Sequence, residues 1–154
     1  MSFMTKRMCG FPTGVWIAYI ALALLMLAWC MQAYSLLNWD SAVNLGIQNE
    51  RFTGDAVERT WAIESRGLAL ADMIWPLPLG ILAIFGLAKS RFYGFAAGLM
   101  ELAIGVYFPL FFAFQRWSTY RGTAITAIVI WSIPSLFGIM GLWINRHEFV
   151  EKTC

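Results

Sequence analysis

Four long apolar runs separated by short polar stretches dominate the chain. Residues 10–39 carry no charge and hold an apolar core over 15–37, with Gln32 and Ser35 near its far end. Residues 67–88 are interrupted only by Asp72, residues 92–115 only by Glu101, and residues 122–145 by no charge at all. About 20 apolar residues, rising ~1.5 Å each, cover a hydrocarbon layer of ~30 Å. The pattern therefore predicts an all-α fold: an integral-membrane four-helix bundle, antiparallel and up-down, with spans at about 13–37, 67–88, 92–115 and 122–145. All of 1–154 is expected to form a single membrane domain. The first run reads as a transmembrane helix and not a signal peptide, whose apolar region is shorter. Trp29, just before Cys30, also puts bulk where a lipoprotein cleavage box requires a small residue.

The polar segment 38–66 stands apart. It holds Asp40, Glu50, Arg51, Asp55, Glu58, Arg59, Glu64 and Arg66, so it predicts a cap outside the membrane between the first two spans. Residues 55–66 have good helix formers, an acidic start and a terminal Arg, which complements a helix dipole. Val43, Leu45 and Ile47 suggest a further turn or short helix on the interface. Two readings are open: a solvated cap whose charges pair locally, or a lid over an opening in the bundle. The turn Lys89-Ser90-Arg91, by contrast, is so short that the second and third helices must be antiparallel neighbours.

Helical spacing then assigns faces. On the first helix Ala18, Ala21, Leu25, Ala28, Gln32 and Ser35 share one side, expected to face inward. On the second, Asp72, Pro76, Gly80 and Ala83 align, and Pro76 and Pro78 should break or kink the helix because each lacks an N–H. On the third, Gly94, Gly98, Glu101 and Gly105 recur every three or four residues. Small residues let helices approach closely in lipid, so the tightest contact of the protein is expected at the level of Glu101. Ser132, Pro134, Ser135, Gly138 and Gly141 mark the fourth helix.

Composition fixes the solvent for these helices. Hydrophobic residues make up 60% of the chain and charged ones 13%, against roughly 45–50% and 25% in soluble domains. The 8 Trp and 5 Tyr fit interfacial belts. A net charge of +2 gives no reason to expect nucleic acid as a partner. Cys9, Cys30 and Cys154 show no CxxC spacing, which argues against a thiol oxidoreductase, and His147 is the only histidine, which excludes a bis-histidine haem; no cofactor or metal is expected. With four spans the two termini share a side. Lys6, Arg7, Lys89, Arg91, Arg146 and Lys152 lie there with Glu148 and Glu151, a balance of +4. The other side has Arg51, Arg59, Arg66, Arg116 and Arg121 against Asp40, Glu50, Asp55, Glu58 and Glu64, a balance of zero. By the positive-inside rule both termini are expected in the cytoplasm.

Chemistry rests on the two carboxylates inside spans, where ionisable residues are costly and mark functional sites by default. Asp72 is about 9 Å of helix rise from Arg66, whereas Glu101 is about 15 Å from Arg91 on the opposite boundary. They therefore read as two separate sites. Gln32, Gln115 and Arg116 lie at the level of Asp72 and are its expected polar contacts, with Arg116 as an ionic clamp. Ser132 and Ser135 are the expected hydrogen-bond partners of Glu101. The acid-then-proline segment Asp72-Met73-Ile74-Trp75-Pro76-Leu77-Pro78 resembles that of the sterol-isomerase and sigma-2-receptor group of four-helix membrane proteins. That resemblance, confined to this segment, implies carboxylates inside a bundle cavity. Three functions compete. The first is an accessory or scaffolding subunit that packs with a second copy or a larger membrane complex. The second is a carrier for a small hydrophobic ligand in a pocket formed by Asp72, Trp75, Glu101, Tyr107, Trp131 and Ser135. The third is a cofactor-free isomerase moving protons through the catalytic candidates Glu101 and Asp72. The first is preferred because every feature also has a packing explanation.

Overall fold

A computed structural model describes residues 3–150, with only the backbone of Val150. The fold is all-α, with four helices long and apolar enough to cross a membrane: Thr13–Leu37, Ala56–Ala88, Phe92–Arg116 and Arg121–Ile144. The only strands among the described residues are β1 (Arg7–Met8) and β2 (Phe11–Pro12), an antiparallel hairpin. Its turn places Cys9 and Gly10 at φ 47° and 89°.

The first span is one helix, α1 (Thr13–Leu37), followed by the short α2 (Trp39–Asn44). The second begins well before residue 67. Helix α3 (Ala56–Ile74) starts at Asp55, whose carboxylate accepts the Val57 and Glu58 N–H groups at 2.9 and 2.8 Å, a standard N-cap. It then runs through Gly67 without a break. A single glycine costs a helix only ~1 kcal/mol, and the Leu68-Ala69-Leu70-Ala71 that follows favours continuation. The cap helix and the upper part of the second span are thus one element. The proline break does occur: α3 ends at Ile74, Trp75 takes φ −117° and ψ −64°, and α4 (Pro76–Ala88) begins. Helix α5 (Phe92–Arg116) runs unbroken through the buried Pro109.

The fourth span has three parts. Helix α6 (Arg121–Ala127) leads into a π-helical turn, Ile128–Ser132, and then α7 (Ile133–Ile144). The Ile133 N–H reaches five residues back to the Ile128 carbonyl. Pro134 supplies the reason: it has no N–H, and its ring would collide with the carbonyl four residues earlier in a regular helix, so the chain widens by one residue ahead of it. A last turn, α8 (His147–Val150), follows.

The chain forms two compact units, one from residues up to Leu25 together with those from Leu79 onward, the other from Met26–Pro78. In the first, α5 and α7 pack antiparallel in a regular register. A Cβ on Gly98 would lie 3.1 Å from Leu142 Cδ1, one on Gly138 would lie 3.1 Å from Leu102 Cδ1, and one on Gly105 would lie 2.5 Å from Ser135 Oγ. Each step along α5 is matched by an equal step back along α7. Helix α1 lies in the same seam, with Ala18 against Gly138 and Leu25 against Gly105. The closest backbone approaches are elsewhere: Gly86 meets Gly94 across the α4–α5 turn, and a Cβ on Gly14 would sit 2.8 Å from Gly141 Cα. The tightest contact is therefore not at the level of Glu101, because there Leu25, Leu102 and Leu142 fill the glycine notches with side chains.

One end of this unit is closed by the chain's own extremities. Thr13 Oγ1 donates to the Lys6 carbonyl at 2.8 Å and Trp16 Nε1 to the Met8 carbonyl at 2.8 Å. Asn145 Nδ2 donates to the Met4 carbonyl at 3.1 Å and the Gly141 carbonyl at 2.7 Å, and Arg7 pairs with Glu148. Phe149, fully buried, stacks on Phe95 with ring centroids 5.7 Å apart.

In the second unit α2 and the loop after it fold back on α1 and α3. Trp39 Nε1 donates to the Glu50 carbonyl at 2.9 Å. Phe52 lies between the Trp39 ring, at 5.1 Å, and the Arg66 guanidinium, at 5.8 Å.

Candidate functional site

Each unit holds a set of buried polar side chains that the sequence reading singled out or missed. In the first, Glu101 is 0% exposed on the face of α5 that holds Gly98, Leu102 and Gly105. Neither serine expected to bond it is hydrogen-bonded to it through its own hydroxyl. Ser132, in the π-helical turn, donates to the Val106 carbonyl of α5 at 3.2 Å. Ser135 is fully buried against Gly105, and its hydroxyl makes no hydrogen bond among the described residues. The expected Glu101–Ser135 bond is therefore not made: the Ser135 side chain fills the Gly105 notch instead. Pro109 also has no N–H to give the Gly105 carbonyl, so this notch combines a hydroxyl and a carbonyl relieved of their usual helical partners.

The polar group of the second unit lies under the cap. Gln48 Nε2 donates to Gln32 Oε1 at 2.7 Å and to Ser35 Oγ at 3.1 Å, while Ser35 Oγ donates to the Met31 carbonyl at 2.9 Å. Glu50, 1% exposed, accepts from Ser65 Oγ at 3.4 Å. Arg51 fixes the loop from outside, through its N–H to Glu58 Oε1 at 2.8 Å and its guanidinium to Asn44 Oδ1 at 3.0 Å. Ala62, Ser65, Ala69 and Asp72 fall on one face of α3. Asp72 is 7% exposed at the final turn of that helix, and its Oδ2 has no hydrogen-bond partner among the described residues. The carbonyl of Asp72 faces the position where Pro76 offers no donor.

The residues chosen from the sequence thus part company. Glu101, Ser135, Asp72 and Arg116 are buried, Arg116 to 4% exposure at the end of α5, and Gln32 is bound by Gln48. Trp131 is half-buried. Trp75 and Tyr107 point most of their surface outward, at 59% and 67% exposure, and Gln115 is exposed as well. Gln48, Glu50 and Ser65 escaped the sequence reading. Nothing in the spacing separates Glu50 from the solvated acids around it; only the fold of the loop onto Trp39 buries it. The remaining reactive groups do not converge. Cys9 and Cys30 have free, exposed thiols, His147 lies 3.7 Å from Glu148 at the surface, and no three His, Cys, Asp or Glu side chains meet among the described residues.

No known protein family, curated protein or solved structure matches the chain.

Proposed function

We propose that the protein is a small integral membrane protein that crosses the bilayer four times, with both termini cytoplasmic, and acts as an accessory or scaffolding subunit through helix packing. The observation that carries this reading is the complete burial of Glu101 on the face of α5 where Leu25, Leu142 and Ser135 fit against Gly98 and Gly105. A carboxyl used on a substrate needs space beside it; a carboxyl used to lock helices does not. Membrane residence is supported by the outer surface, where Ile20, Leu37, Ile74, Phe85 and Phe114 are all more than half exposed. Apolar area on that scale is a liability in water and ordinary in hydrocarbon.

Replacing Glu101 tests the assignment. Glu101→Gln keeps shape and should preserve folding and assembly size in mild detergent. Glu101→Ala opens a void and should lower stability by about 2–4 kcal/mol, with loss of the assembled species. An Ala variant as stable and as well assembled as the parent would refute a packing role.

One observation favours a second reading, a ligand or proton-transfer site. Asp72 is buried, has an oxygen without a hydrogen-bond partner among the described residues and sits at the C-terminal end of a broken helix, where the dipole disfavours a negative charge. Asp72→Asn removes that cost and should stabilise the protein. If it instead abolishes binding of a hydrophobic ligand to a folded protein, the carrier reading replaces the scaffold.

A further inference from the structure

The end of the first unit that is closed by the chain's extremities collects five of that unit's seven described Lys and Arg residues: Lys6, Arg7, Lys89, Arg91 and Arg146. Three turns meet there. Asn145 ties the N-terminal turn to the end of α7 through the Met4 carbonyl, and Arg7 pairs with Glu148 of α8. Phe149 stacks on Phe95, which brings α8 against the first turn of α5, the turn that directly follows Lys89-Ser90-Arg91. Lys6, Arg7, Lys89, Arg91 and Arg146 are all exposed, while Glu148 is the single acid on these turns among the described residues and is already taken by Arg7. Lys6, Lys89 and Arg91 make no ion pair among the described residues. Arg146 lies over the exposed Trp143 ring, 5.4 Å from its centroid. Phe92 and Tyr93, next to Arg91, are exposed too. The opposite end of the same helices offers the buried Arg116 and one exposed pair, Arg121 over Trp117 at 5.1 Å.

The spacing of the two Arg–Trp pairs gives this surface its setting. In the α5–α7 register Trp143 lies level with Ala97, and from Ala97 to Trp117 is about 30 Å of helix rise, the thickness of the hydrocarbon layer. The aromatic rings therefore mark two interfaces, and the excess cations stand just outside one of them. Cations on adjacent turns beside exposed aromatics match headgroups that carry negative charge at the level where acyl chains begin.

We propose that this end binds anionic phospholipid headgroups, with Lys89, Arg91 and Arg146 as the contacting cations and Trp143 and Tyr93 against the adjoining acyl chains. Arg7, held by Glu148, orders the turn. The proposal rests on the membrane-spanning reading and names the lipid class that reading leaves open.

The test uses the full chain in phosphatidylcholine vesicles with trace spin-labelled phosphatidylglycerol or spin-labelled phosphatidylcholine. Electron spin resonance then measures the share of each label slowed by the protein. At low salt phosphatidylglycerol should be held about five-fold more strongly, on the order of one surface cation's contribution. That preference should collapse at about 1 M salt, where the screening length is ~3 Å. The K89Q/R91Q/R146Q variant should lose it while Arg121→Gln keeps it. Equal retention of both lipids by the unaltered protein, or a preference that ignores salt, overturns the proposal even if the triple variant fails to fold. Failure of the protein to enter vesicles at all would instead refute the membrane-spanning reading on which the proposal stands.

Discussion

At the scale of single residues the decisive quantity is what a side chain meets, and the glycines show it best. A Cβ on Gly98 would touch the far end of Leu142, which can turn aside, whereas a Cβ on Gly141 would lie 2.8 Å from Gly14 Cα, which cannot. Gly141→Ala should therefore cost about 2–3 kcal/mol, as overpacking does when backbones must part, and Gly98→Ala less than about 1 kcal/mol. Reversible unfolding in mixed micelles checks the order; equal costs would mean that α1 and α7 are free to separate. The buried acids carry the same lesson. Glu101 and Asp72 were legible because a charge inside an apolar run stands out. Glu50 was not, since its burial depends on Trp39 and Ser65, respectively 11 positions before it and 15 after it.

At the scale of elements, local chemistry explains each departure from a regular helix. Pro134 lies two residues beyond the π-helical turn, and Pro76 opens α4 directly after the break at Trp75. Each removes a donor, but only the second separates two helices, because Pro78 removes another donor within the same turn. Replacing Pro76 and Pro78 together by Ala should fuse α3 and α4. Amide exchange across residues 75–78 should then slow by roughly tenfold, the mark of a continuous hydrogen-bonded ladder. Exchange as fast as in the parent would show that packing, not proline, sets the break. The boundary expected at residue 67 is absent for a related reason. Polarity changes at residue 67, but backbone hydrogen bonds are indifferent to that change, and the capping signal at Asp55 outranks it.

For the whole molecule the two free thiols report orientation. Cys9 is exposed in the hairpin turn, and Cys30 is exposed on the side of α1. In a Cys154→Ser background a membrane-impermeant maleimide should label Cys9 in inverted vesicles and not in intact cells, with Cys30 protected in both. Labelling of Cys9 from outside would reverse the proposed topology, and ready labelling of Cys30 would argue that α1 is not in lipid. The number of long apolar helices, the approximate limits of all but the second and the tight α4–α5 turn followed from the sequence alone, because hydrocarbon thickness and helix rise fix how many apolar residues a crossing needs. The proline break and the inward face of Gly94, Gly98, Glu101 and Gly105 followed as well, since both are properties of one helix. Only the tertiary structure decided which notch each side chain fills, that Ser135 meets Gly105 rather than Glu101, that Gln48 and Glu50 are buried, and that three distant turns meet at one basic end. These are contacts between residues far apart in the chain, and the spacing within a single helix carries no information about what another helix brings against it.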